Sequence, residues 1–210
     1  MTKLEKLMGL KTPAAEKEIG EEEIKDISTV ELAYRIAEAA HRNQKRVNGD
    51  YYFTHPLGML DNYEKMLFSS NNPYKYEALM DHNIPVDGVR EIILLHDVVE
   101  DTNLTHKDIK DMFAEYGYEA YYEVYIEEAL KLLTHNKREK YETYIKKVMD
   151  NSVASLVKML DLMNNANLFT LNTLGENEYE RVLKYIHYFK MINDKWHYVE
   201  KINGYKADIR

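Results

Sequence analysis

The densest chemistry in the chain lies in Ile92-Ile93-Leu94-Leu95-His96-Asp97-Val98-Val99-Glu100-Asp101-Thr102. Four aliphatic residues run straight into four ionisable side chains, interrupted only by two valines. Desolvating a charge is costly, so a buried charge has to be paired or bound to a metal. Read as one helix ending near Thr102, the segment sets His96 and Glu100 one turn apart, and Asp97 and Asp101 likewise. Adjacent His96 and Asp97 then converge on one ion while the later acids stand over it.

A second chemical stretch sits on the helix expected from Val153 to Leu168, capped at Asn151-Ser152. Its apolar stripe of Val153, Leu156, Val157 and Leu160 continues into Asn164 and Leu168, with Asp161 and Asn165 on or beside it. Taken alone, Asp161 reads most simply as part of a buried hydrogen-bond network to a Tyr or Lys. Taken with His55 and the His96-Asp97 pair, it completes a site of two imidazoles and two carboxylates. A mixed N/O set of His55, His96, Asp97 and Asp161 suits one Mn²⁺, Fe²⁺ or Zn²⁺ better than Ca²⁺ or Mg²⁺, which prefer oxygen shells.

These residues need a scaffold of helices. A chain of 210 residues can bury a proper core, and only 8 Gly and 4 Pro punctuate it. No alternating apolar pattern of useful length occurs, so the expected fold is all-α, a compact multi-helix bundle around a single central metal site. We divide it into an extension, helical or partly disordered, at 1–26, a core domain at 27–195 and a tail at 196–210. Ser28 or Thr29 caps a helix carrying Leu32, Ile36 and Ala39-Ala40, which leads into the basic run His41 to Arg46. Tyr51 to Thr54 is expected to be extended, because His55 precedes Pro56, which suits the first helical position. Residues 69–88 read as loop-rich. Thr105 and Asp108 form a variant capping box, Gly117 ends that helix, and further helices follow at 119–134, around Tyr141 to Val148, and from about Glu178 to Ile192.

The absence of cysteine excludes disulfides, thiolate metal sites and cysteine nucleophiles. The net charge of −8 gives no support to a nucleic-acid or membrane surface, so an anionic ligand needs local cations. No apolar run approaches the roughly 20 residues that span a bilayer, and no signal-peptide core is present, which makes the cytoplasm the default location. Nothing in the sequence specifies an oligomeric state.

The order His … His-Asp … Asp resembles the HD superfamily of metal-dependent phosphohydrolases. More closely, His41-x-x-Gln44-x-Arg46-x-x-Gly49-x-Tyr51 with His55-Pro56, then Leu94 to Thr102, then Val157 to Asp161 with Asn165, is similar to the (p)ppGpp hydrolase domain of the Rel/Spo family and its small relatives. The likeness covers about residues 30 to 190. It implies His55, His96, Asp97 and Asp161 as ligands of one divalent ion, Mn²⁺ first and Fe²⁺ or Zn²⁺ as alternatives. It implies Glu100 and Asp101 as the acids that handle the protons of the attacking water and the leaving group. Arg46 is implied at the base and Asn165 at the ribose or phosphate region; on charge alone, Lys45, Arg46 and Lys158 can pair with the non-reacting phosphates. The implied reaction is removal of the 3′-pyrophosphate of (p)ppGpp by metal-activated water. The chain departs from the family pattern at Val47-Asn48, at Asn164 and in the length of chain between His55 and His96.

Two other functions fit the residues. One is a phosphohydrolase of the same fold acting on a different nucleotide, motivated by Val47-Asn48. The other is a nucleotide-binding sensor without catalysis, against which the presence of both Glu100 and Asp101 speaks. His41 reads as structural or as a support for a ligand, His135 as a helix-end cap, and Lys137 and Tyr144 as further candidates for substrate contact. His82, His106, His187 and His197 read as inert, and the 18 tyrosines as packing on helix faces.

Overall fold

The computed structural model describes residues 2–9, 27–68, 86–167 and 175–197. The expectations for residues 10–26, for most of the loop-rich 69–88, for Leu168 and for the tail beyond 197 lie outside the described residues. Eleven helices are described: α1 Lys3–Leu7, α2 Thr29–His41, α3 Thr54–Phe68, α4 Val89–Leu95, α5 Val98–Asp101, α6 His106–Glu115, α7 Glu119–Tyr125, α8 Glu127–Leu133, α9 Tyr141–Val148, α10 Ser152–Asn165 and α11 Glu176–Trp196. The only β pairing among the described residues is an isolated bridge between Lys45 and Tyr51. No described helix is long and apolar enough to cross a membrane.

Local chemistry sets the boundaries. Ser28 caps α2 through the Glu31 N–H, and Asn151 caps α10 through Ala154. Thr105 and Asp108 close a reciprocal capping box on α6. Gly117 and Gly88 both adopt positive φ, +81° and +82°. Gly88 is also tightly packed: a Cβ there would meet the Tyr125 carbonyl oxygen at 2.6 Å.

At the centre lies α4, whose Ile92, Ile93, Leu94 and Leu95 are all buried. A side chain of that size contributes roughly 1.5–3 kcal/mol when fully buried, so four in succession anchor the element firmly. It packs against α2, α3 and α10, and α10 in turn against α3, α8 and α11. Leu4 of α1 is fully buried in the same core, and α1 is tied to α6 by Lys3, whose ammonium lies 3.3 Å from Asp108 and 2.5 Å from Asp111.

Four expectations of the sequence are corrected. The central segment is two helices: it breaks at His96-Asp97, where Asp97 takes φ −100° and ψ −4°, and resumes as α5. Tyr52 and Phe53 form a turn, with the Thr54 and His55 N–H groups bonded to the carbonyls of Tyr51 and Tyr52, so that His55 lies inside the first turn of α3. A proline in a first turn forfeits no i→i−4 bond, which lets the helix begin ahead of Pro56. Residues 119–134 likewise divide into two helices at Ile126, with φ −117° and ψ −45°. The last helix is longer than expected, 21 residues from Glu176.

Candidate metal centre and anion cavity

Three helices deliver the four expected ligands to one place. His55 comes from the first turn of α3, His96 and Asp97 from the break after α4, and Asp161 from the third turn of α10. His55, His96 and Asp97 each present a ligand atom within 4.8 Å of the others. Asp161 closes the set, with Oδ1 3.1 Å from His55 Nε2 and 4.0 Å from His96 Nε2. The helix break is what allows this, since it lets Asp97 turn back over His96, Oδ2 to Nε2 2.9 Å, and also face His55 at 3.8 Å.

The hydrogen bonds fix which ring nitrogens face inward. His96 Nδ1 lies 2.8 Å from the Ile93 carbonyl oxygen, which can only accept, so Nδ1 carries a proton and Nε2 is the nitrogen that faces the centre. His55 Nδ1 lies 2.8 Å from Asn164 Oδ1, an amide oxygen that also accepts from Arg46 at 3.3 Å. His55 Nε2 therefore faces the centre as well, 3.1 Å from Asp161 Oδ1. His96 Nε2 is buried and has no hydrogen-bond partner, although a carboxylate oxygen stands beside it. Two bare imidazole nitrogens facing two carboxylates repel unless a cation, either a proton or a metal ion, lies among them. A divalent ion satisfies all four, and the ligands' outer partners already hold them in place.

The electrostatics agree. Burial works against charge on His96, but Asp97 and then Asp161 overcome it and push its pKa up to about 9. Burial likewise opposes ionisation of Asp97 and Asp161, yet His96 beside the first, and Lys158 with His55 beside the second, hold both carboxyls below the usual range. Lys158 Nζ sits 2.7 Å from Asp161 Oδ2 and 5.4 Å from the centre of the Tyr144 ring, which keeps its charge despite burial.

The other expected residues fall into two groups. Glu100 is half-buried with Oε2 accepting from the His135 N–H at 3.1 Å, and burial raises its pKa against that bond. Asp101 is exposed, its backbone carbonyl accepting from Gln44 Nε2. Lys45, Arg46 and Asn165 line a cavity of about 240 Å³ together with Val47, Tyr52, Arg181 and Tyr185. Lys158 is directed to Asp161 and is not part of that lining. Lys137 is exposed, and the Tyr144 hydroxyl is bonded to the Leu133 carbonyl. A larger recess of about 380 Å³ beside α8 and α9 holds none of the ligands, and its Lys131 and Lys147 already pair with Glu127 and Glu139.

Several contributors escaped the sequence reading. Tyr52, not Tyr51, donates its hydroxyl to Asp97 Oδ2 and stacks on buried His41 at 4.5 Å between ring centres. Arg181 and Tyr185, one turn apart on α11, line the cavity, and Arg181 Nε is buried without a hydrogen-bond partner. On a helix carrying tyrosines at 179, 185 and 188, no pattern singled this pair out.

Against known proteins, no protein-family description matches the chain. It is 27% identical over 160 residues to the bifunctional (p)ppGpp synthase/hydrolase SpoT of Escherichia coli K12, covering 75% of this chain and 20% of that protein. It is 34% identical over 87 residues to the guanosine-3′,5′-bis(diphosphate) 3′-pyrophosphohydrolase of Aquifex aeolicus, covering 41% of this chain and 10% of that one. The chain thus spans about a fifth or less of the length of these curated relatives. Among solved structures it is similar to a metazoan ortholog of SpoT described as hydrolysing ppGpp, with a TM-score of 0.55 and 20% identity over 82% of this chain and 88% of that one. The chain therefore shares its all-α fold with that protein, and a likeness to SpoT is seen in sequence as well.

Proposed function

We propose that this chain is a metal-dependent phosphohydrolase of the HD type that removes the 3′-pyrophosphate of (p)ppGpp. The observation that carries the reading is the convergence of four electron-pair donors, one of them the unpartnered His96 Nε2, on a space that only a cation can satisfy. His55, His96, Asp97 and Asp161 would hold the ion, with Mn²⁺ the first choice for two imidazoles and two carboxylates and Fe²⁺ or Zn²⁺ next. When bound, such an ion lowers the pKa of its water from 15.7 towards roughly 7 and neutralises phosphoryl charge.

The chain's own residues do the rest. Water adds to the phosphorus on the ribose 3′ oxygen, the bond between them breaks, and pyrophosphate leaves a free 3′-hydroxyl behind. Glu100, whose pKa burial raises, takes the proton of the water. That proton passes by way of Asp101, the next residue, to the departing 3′ oxygen. Lys45, Arg46 and Arg181 offset the field of an acidic protein and bind the phosphates, with Asn165 beside them. A nucleotide of this class is met in the cytoplasm, where the reading puts the chain.

A second reading, the same chemistry on another nucleotide, draws on Val47, which lies 78% exposed on the cavity lining. Hydrolysis of a nucleotide panel with Mn²⁺ decides between them. Release of pyrophosphate from guanosine tetraphosphate, abolished in His96→Ala, supports the first. Turnover of a different nucleotide alone supports the second, and tight binding without turnover of any would leave only a sensor.

A further inference from the structure

Two consecutive amides at the end of α10 join the metal centre to the anion cavity. Asn164 Oδ1 accepts from His55 Nδ1 at 2.8 Å and from Arg46 at 3.3 Å. Asn165 Oδ1 accepts from the other terminal nitrogen of Arg46 at 3.2 Å while its Nδ2 donates to Asp161 Oδ1 at 2.5 Å. One guanidinium is thereby tied to two of the four candidate ligands, each through a single side chain. Its planar fork of donors suits it to this pairing, which a lysine would not reproduce.

The fold makes room for the arrangement. Gly58 faces Asn164 from the first turns of α3, and a Cβ there would lie 2.6 Å from Asn164 Nδ2. The φ of Gly58 is ordinary for any residue, so the close approach of the amide, not backbone freedom, is what glycine serves here. Asn164 has one oxygen and two tasks. The proton it fixes on His55 Nδ1 leaves Nε2 free for a metal, and the same oxygen holds Arg46 against the cavity.

We infer that Asn164 is a positioning residue that couples metal binding to anion binding, because a single amide oxygen sets both the inward-facing nitrogen of His55 and the orientation of Arg46. The inference rests on the metal-centre reading above. It implies that metal in the cage and anion in the cavity favour each other, reciprocally and by the same factor.

Three variants test it: Asn164→Ala, which removes the acceptor, Asn164→Asp, which keeps it, and Gly58→Ala, which displaces it without touching either partner. The readouts are Mn²⁺ affinity by calorimetry, inorganic pyrophosphate affinity of the metal-free protein, and the His55 tautomer by nitrogen-15 NMR of the metal-free protein at one pH, each on samples whose helical circular dichroism matches the wild type. Asn164→Ala and Gly58→Ala should each weaken Mn²⁺ binding about 10- to 100-fold, the usual cost of losing a ligand's outer partner. They should also weaken pyrophosphate about fivefold and mix the His55 tautomers. Asn164→Asp should restore the tautomer and most of both affinities. Loss of only one affinity, or an unchanged His55 tautomer in both disruptive variants, overturns the coupling. Wild-type protein that binds no Mn²⁺ sinks the metal-centre reading itself, whereas wild-type binding with variants that lose nothing sinks only this inference.

Discussion

The proposed metal cage and the proposed anion cavity lie side by side and are built on opposite terms. Three of the cage's four candidate ligands are buried, they sit on or beside helices packed in the core, and each histidine has its outer nitrogen already committed. The cavity is open, its cations come from the loop around Lys45 and Arg46 and from α11, and Arg181 Nε still lacks a partner. A cage organised in advance holds its ion tightly and binds little else. An open basic cavity gives up some affinity for access and adapts to the anion that enters. Chemistry that must be exact in distance belongs in the first, and recognition that tolerates variation in its ligand in the second.

The largest effect should come from breaking the cage. Asp161→Ala removes a ligand and strands the buried ammonium of Lys158, so it should lower metal affinity by more than the roughly 10- to 100-fold seen for outer partners and destabilise the fold by about 3–5 kcal/mol. Metal content after dialysis and urea unfolding would measure both. His96→Ala should lose the metal similarly with less effect on stability, because the Ile93 carbonyl it leaves behind is uncharged.

Next comes pH. His96 binds a metal only when neutral at Nε2, and without metal its pKa is pushed up to about 9. Below that value each metal ion must displace a proton, so affinity should fall about tenfold for every unit of acidification and level off above about 9. Mn²⁺ titrations across pH would show the slope, and a flat profile would mean that His96 is not a ligand.

The cavity should respond more gently. Arg181→Met should raise KM about tenfold while leaving metal content intact, since a hydrogen bond to a charged group contributes roughly 1.5 kcal/mol or somewhat more and a second cation stands nearby. An equal loss of metal would erase the distinction between the two regions. Far from both, Thr105→Ala should cost only about 1 kcal/mol by uncapping α6, with unchanged kinetics.

The same contrast explains what could be read in the sequence. The cluster was legible because an aliphatic run ending in His96-Asp97 and an apolar stripe with Asp161 on or beside it announce buried charge, and buried charge demands a partner. The helix break at Asp97 was hidden, since the residues of the segment favour a helix and only the convergence of distant ligands requires the turn. Tyr52 was missed in favour of its neighbour because extended and turn conformations point adjacent tyrosines to opposite sides. The cavity was half legible: Lys45 and Arg46 stand out in an acidic chain, but Arg181 reaches them from a helix more than a hundred residues away, among other exposed charges. Asn164 was visible as a departure from the Rel/Spo pattern, while its two partners at once are a property of the packing around Gly58.

The most direct measurement is titration of the metal-free protein with Mn²⁺, followed by calorimetry and by the paramagnetic broadening of the His55 and His96 ring resonances. One ion per chain should bind, broaden both rings and lose its site in Asp161→Asn. An ion that leaves both rings unbroadened, or binding unchanged in Asp161→Asn, would contradict a cage formed by α3, α4 and α10.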